Sequence, residues 1–266
     1  NVAALTTSQV QALTTAQVRG LTNTQLNSLT TAQVASMETA DVAALSVAQV
    51  ASMNTASVAA LTTSQAQALT SAQVASLSTA ATAALTTSQI QALTTAQVRG
   101  LTNAQLNSLT TAQAAALTTG QVAGLSATQV ASLSTAATAA LTTSQVQALT
   151  TAQVRGLSNT QLNSLTTAQV ASMETADVAA LSVTQVASMN TASVAALTTS
   201  QAQALTSAQV AGLTTTQIGA LETADLSAMS ASQLAGLSAA QIGRLNTAQA
   251  AALTTGQVAG LSATQV

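Results

Sequence analysis

The sequence predicts an all-α repeat solenoid of very short capped helices, one for every eight residues. Three observations lead there. Leu or Met returns at every eighth position from Leu5 to Leu261, 33 times without an insertion or deletion. The next residue is Thr, Ser or Asn in all but three octads, and Gln follows three residues later in 26 of the 33. No Pro and no aromatic residue interrupts the pattern. A strict short period signals a repeat architecture and outranks the reading of any single segment.

The octad is labelled a to h, with a the Leu or Met. Thr, Ser or Asn at b, with Gln at e, is a capping box: the b side chain accepts from the backbone N–H at e, and the Gln reaches back to the N–H at b. Position f is usually Val, Ile or Leu, as in Val18, Ile90 and Leu106. The apolar pair a and f then occupies the two places of a hydrophobic staple, just before and just inside the helix start. Each octad therefore encodes a helix start, and the next start arrives before a long helix can grow. Position h is Ala, Gly or Ser throughout, with Arg244 the exception. A small residue there suits a tight reversal or a close backbone approach. Residues a and f are expected to form two apolar rows facing a common axis. One Leu and one Val cannot offset the ordering of eight residues, so stability must come from coupling many units.

Two other folds compete. One continuous helix would carry the a/f stripe about 80° further round with each octad, so no face would stay buried. A β-solenoid would keep each position on one face, but a and f would point to opposite sides, and Ala and Gln are poor strand formers.

Along the chain, residues 5–76 hold nine octads with individual features, among them Arg19-Gly20, Asn27-Ser28, Glu38 with Asp41, and Met53-Asn54. Residues 141–212 repeat this block almost letter for letter, 136 residues or 17 octads on, and Leu245 to Val266 nearly copies Leu109 to Val130. No linker or change of composition marks a boundary. Residues 1–266 read as a single continuous array with a 136-residue super-repeat, and as a fragment of a longer chain.

Composition narrows the function. The chain lacks His, Cys, Lys and Tyr, so acid–base and nucleophilic groups reduce to carboxylates and hydroxyls. The hydroxyls are explained as helix caps. No catalytic, cofactor-binding or metal-binding residue is assigned, and no enzyme activity or cofactor is expected. Glu38/Asp41, Glu174/Asp177 and Glu222/Asp225 each set two carboxylates three apart. Carboxylate pairs are calcium ligands, but calcium takes six to eight oxygens, and the plainer reading is attraction to a helix start. The only basic residues, Arg19, Arg99, Arg155 and Arg244, read as exposed decoration able to pair with acids of a neighbouring chain. No run of 18 apolar residues suggests a membrane span, and no signal peptide opens the chain. A small-molecule ligand is not expected.

Leu13-Thr14-Thr15-Ala16-Gln17-Val18 resembles the opening of the first helix in repeats of the TAL-effector DNA-binding family. The likeness covers about eight residues of a longer repeat, and the second helix and base-reading loop have no counterpart. A net charge of −2 offers phosphate no attraction, so nucleic acid is not an expected partner. Over its whole length the Leu-Thr-Thr-Ala-Gln-Val pattern is similar to octapeptide-repeat tracts of very large bacterial surface or secreted proteins. That resemblance implies a stalk, spacer or filament outside the cell, with self-association as the expected partnership. The alternative is a repetitive binding surface for polysaccharide, ice or a second copy, with Thr7, Thr15, Thr31 and Thr39 forming an outward row.

Overall fold

A computed structural model describes residues 2–266. Its described residues form one 3-10 turn, Val2–Ala4, and 32 α-helices of four to six residues, from α1 (Thr7–Gln11) to α32 (Thr255–Ala259), with no strand. The β-solenoid and the single long helix are both ruled out. Each octad from Leu5 to Leu253 yields one helix, starting at position c.

The local cause is the predicted one. Every helix with Gln at its third residue has both halves of the capping box. Thr62, for example, accepts from the Gln65 N–H at 3.2 Å, and Gln65 Oε1 accepts from the Thr62 N–H at 2.7 Å. Ser78 and Asn54 cap without a Gln partner. Glu38, Glu174 and Glu222 stand at the cap position but make no side-chain cap hydrogen bond, so these three helices start on backbone geometry alone.

The bend between helices is two extended residues. Leu21 has φ −64° and ψ 133°, and Thr22 has φ −69° and ψ 158°. No described residue has a positive φ. The small residues at h therefore do not make the reversal; they allow close approach between layers.

Two compact units divide the chain, residues 1–141 and residues 142–266. In the first, helix n packs on helix n+3: α2 (Thr15–Gly20), α5 (Thr39–Ala44), α8 (Thr63–Ala68), α11 (Thr87–Ala92), α14 (Thr111–Ala116) and α17 (Thr135–Ala139) form one stack. The second repeats the rule in α19 (Thr151–Gly156), α22 (Thr175–Ala180), α25 (Thr199–Ala204), α28 (Thr223–Ala228) and α31 (Thr247–Ala251). Three helices thus make one turn of coil in each unit, a number the octad alone did not reveal.

The core is the pair of rows at a and f. Between the terminal turns of coil, Leu61, Leu69, Leu93 and their equivalents are buried, and Val50, Val58, Ile90 and Leu106 are fully enclosed; Leu5, Leu13, Leu21, Leu245, Leu253 and Leu261 at the two ends are half-buried. Each octad has a direction. In the first turn of coil f is buried (Val10, Val18, Leu26) while Gln9, Gln17 and Gln25 at e are exposed. In the last turn Gln249, Gln257 and Gln265 are buried while Ala250, Val258 and Val266 are exposed. Position e therefore meets the layer before, and f the layer after.

Position h seals the layers. Ser36 Oγ lies 3.3 Å from the Thr7 carbonyl, one layer back. A Cβ on Gly100 would sit 3.1 Å from Ser71 Cβ, and one on Gly124 would collide with Thr95 Cγ2.

Candidate functional site

The feature repeated most often is a buried amide between layers. The e-position Gln has two ends, and only one is occupied by the capping box. Its Nε2 reaches back to the bend of the preceding layer. Gln65 donates to the carbonyls of Val34 (3.0 Å), Ala35 (3.3 Å) and Met37 (2.7 Å). Gln89 does the same to Val58, Ala59 and Leu61, and Gln201 to Val170, Ala171 and Met173. Two of the carbonyls lie in the last turn of a helix, where the intrahelical ladder runs out; the first of them, Val34, also accepts from the Met37 N–H at 3.2 Å, and the third belongs to the extended residue a. One side chain thus starts its own helix and caps the end of another. Sequence reasoning found the first role and missed the second. The signal was present: a capping box accepts Glu as readily as Gln, yet no octad has Glu at e. Gln supplies a donor there as well as an acceptor, and Glu would supply only acceptors.

Seven octads break the rule. Ser57, Ser193, Ala81 and Ala137 occupy e with small side chains, and Thr82 and Thr138 at f turn their hydroxyls onto the carbonyls of Ser78 and Ser134 at 3.0 Å. Asn54 receives help from elsewhere: its N–H donates to Asn27 Oδ1 at 2.8 Å, and Asn163 serves Asn190 identically.

The other three have Asp. Asp41, Asp177 and Asp225 are buried to within 3% of full enclosure, and Oδ2 of each lacks a hydrogen-bond partner. Asp225 Oδ1 accepts from Thr199 Oγ1 at 2.8 Å. Burial pushes the Asp177 carboxyl up to about 6, helped by the negative charge of Glu174. Asp41 is raised by burial and then by Glu38. Asp225 is raised by burial, against the lowering effect of the Thr199 hydroxyl, with Glu222 adding to the rise. The expectation that both acids of each pair sit at a helix start holds for position; Glu makes no cap, and Asp is buried rather than solvated. No group of three or more potential metal-ligating side chains forms among the described residues.

The exposed surface has its own order. The first residues of the α2 stack are Thr15, Thr39, Thr63, Thr87, Thr111 and Thr135, all exposed. The α19 stack offers Thr151, Thr175, Thr199, Thr223 and Thr247, also exposed. The two other columns of the first unit are mixed, one including Thr7 and Thr31 but also Asn103 and Ala127, the other including Asn23, Val47 and Ser71. The threonine columns also hold all six acidic residues, on α5, α22 and α28 or at their cap positions. The four Arg side chains are exposed, and no ion pair forms among the described residues. Gln147 Nε2 donates to Glu174 Oε1 at 3.0 Å. No described helix is long and apolar enough to cross a membrane.

Tandem units joined one layer to the next by the same buried amide define a structural repeat protein of the α-solenoid class. The ALTTAQ repeat family model matches eight successive segments, residues 2–37, 34–71, 67–95, 92–127, 119–151, 146–173, 170–207 and 218–255. The chain belongs to that family. A comparison with curated proteins finds no match.

Proposed function

We propose that the chain is a structural spacer: a stalk or filament-forming segment in which the number of octads sets the length. We place it outside the cell or on a bacterial surface, as a single octad-repeat array. The observation that carries this reading is the glutamine ladder. It joins each layer to the one before with the same side chain and the same carbonyls, so layers can be added without a change of chemistry. Nearest-neighbour coupling of this kind makes stability and length grow with repeat number. The test is electron microscopy of variants with 24 residues, one turn of coil, added or removed. Particle length should change in proportion; an unchanged length refutes the spacer.

A second reading is favoured by the threonine columns. An unbroken exposed Thr row on one stack, beside mixed rows on the others, is a surface suited to a periodic partner such as polysaccharide, ice or another copy. Replacing Thr39, Thr63, Thr87 and Thr111 by Lys should abolish co-sedimentation with an insoluble glycan, or thermal hysteresis, and leave helicity intact. A wild-type chain inactive in both assays and monomeric in solution removes this reading.

A further inference from the structure

We propose that the three Glu-Thr-Ala-Asp octads are proton-operated joints, closed when a neutral carboxylic acid bonds to the layer beneath and loosened when that acid ionises. In the standard octad, Nε2 at e donates to carbonyls 31, 30 and 28 residues earlier. The same register sets Asp41 above the carbonyls of Val10, Gln11 and Leu13. It sets Asp177 above Val146, Gln147 and Leu149, and Asp225 above Val194, Ala195 and Leu197. A carboxylate can only accept; a protonated carboxyl has one O–H to donate. An ionised Asp at e therefore turns a lone pair toward carbonyl oxygens where every Gln turns an N–H. The unpartnered, buried Oδ2 of all three residues is that mismatch in the structure. The acid form restores the Gln pattern, one oxygen accepting and the other donating, directly or through one water because Asp is a methylene shorter.

The surroundings reinforce the effect. Asp41 lies between α2 and α8, Asp177 between α19 and α25, and Asp225 between α25 and α31. α8, α25 and α31 have no ionisable side chain. α2 and α19 contribute Arg19 and Arg155, both exposed to solvent. Glu38, Glu174 and Glu222, on the same octads, add negative charge that disfavours ionisation. The sign follows. A folded-state pKa raised above the unfolded value gives stability that is complete below the unfolded value and is lost as pH rises through the folded one. For Asp177 that window runs from 3.8 to about 6. These joints tighten in mild acid, opposite to the usual acid loosening of carboxylate-bearing proteins.

The chain contains only three Asp residues, so Asp labelled with ¹³C at Cγ gives three signals in the full-length protein. The Asp177 signal should titrate with a midpoint near 6 rather than 3.8, and the other two should also lie above 3.8. Midpoints at or below 3.8 for all three overturn the proposal. In thermal unfolding, the wild type should melt higher at pH 4.5 than at pH 7.5. The triple substitution Asp41→Gln, Asp177→Gln, Asp225→Gln should remove that difference, and Glu38→Gln, Glu174→Gln, Glu222→Gln should leave most of it. Equal melting of the wild type at both pH values, as expected if water bridges the carboxylate equally well, or an unchanged difference in the Asp triple variant, also overturns it. The titration uses the wild-type chain and decides the matter even where a variant does not fold.

Discussion

Replacing Gln65 by Met isolates the bond between layers. Met preserves the length and bulk of the side chain and removes both of its polar ends. The Met37 carbonyl then loses its 2.7 Å donor in a buried bend, and the Val34 carbonyl loses a 3.0 Å contact. Leaving one buried carbonyl without a partner costs about 1–3 kcal/mol. Loss of the reach-back to the Thr62 N–H, which water can replace, adds about 0.5–1 kcal/mol. The expected total is about 1.5–4 kcal/mol. Gln9 supplies the control, because residues 5–12 and 61–68 differ only at Val10 and Ala66. Gln9 makes the same capping box but is exposed. Gln9→Met should cost only the capping part, about 0.5–1 kcal/mol. Terminal fraying would hide this in a global melt, so the measurement is amide hydrogen exchange, each variant compared with wild type over its own octad. Opening free energies report local stability in such arrays. Equal losses at the two sites would refute a ladder that binds layers together.

Other expectations follow from the same contacts. Gly124→Val drives a branched side chain into Thr95 of the adjacent layer and should destabilise by about 1–3 kcal/mol, whereas Gly20→Ala, with open space around it, should be neutral or stabilising by up to about 1 kcal/mol; thermal melts of the two variants compare them. Leu106→Ala empties a fully enclosed site and should cost about 2–5 kcal/mol in urea unfolding. Glu38→Thr installs a cap where none exists and should raise stability by about 0.5–1 kcal/mol; a melt no higher than wild type at pH 4.5 counts against the capping account.

The helix start was legible because everything that specifies it lies within eight residues. Thr62, Gln65 and Leu61 can be assigned roles without knowing what lies beside them. The apolar rows were legible for the same reason, since a and f are adjacent on one short helix. The number of helices per turn was not, because it depends on how the extended pair Leu21-Thr22 sets the angle between successive helices, and the octad is compatible with several angles. The second job of Gln was hidden because its carbonyls lie 28 to 31 residues away. The absence of Glu at e was its only trace. The Asp octads misled for a related reason. Asp41 at the third helical residue looks like an ordinary charged first turn, and only the layer beneath makes it a buried acid. The requirement for small residues at h was read correctly, with close approach and not chain reversal as the cause.

Because each Nε2 points toward residues already passed, the coil can be laid down in the order in which it is translated. An octad leaving the ribosome finds its carbonyl partners about 30 residues upstream, in a layer that precedes it, and needs nothing still unmade to satisfy them. The entropy of closing so short a loop is nearly the same for the fifth layer as for the fiftieth, and local partners of this kind favour rapid folding. A gene that lengthens by duplicating blocks of octads therefore adds protein that folds by the rules of the block before it. Family members of very different length should refold at similar rates per layer.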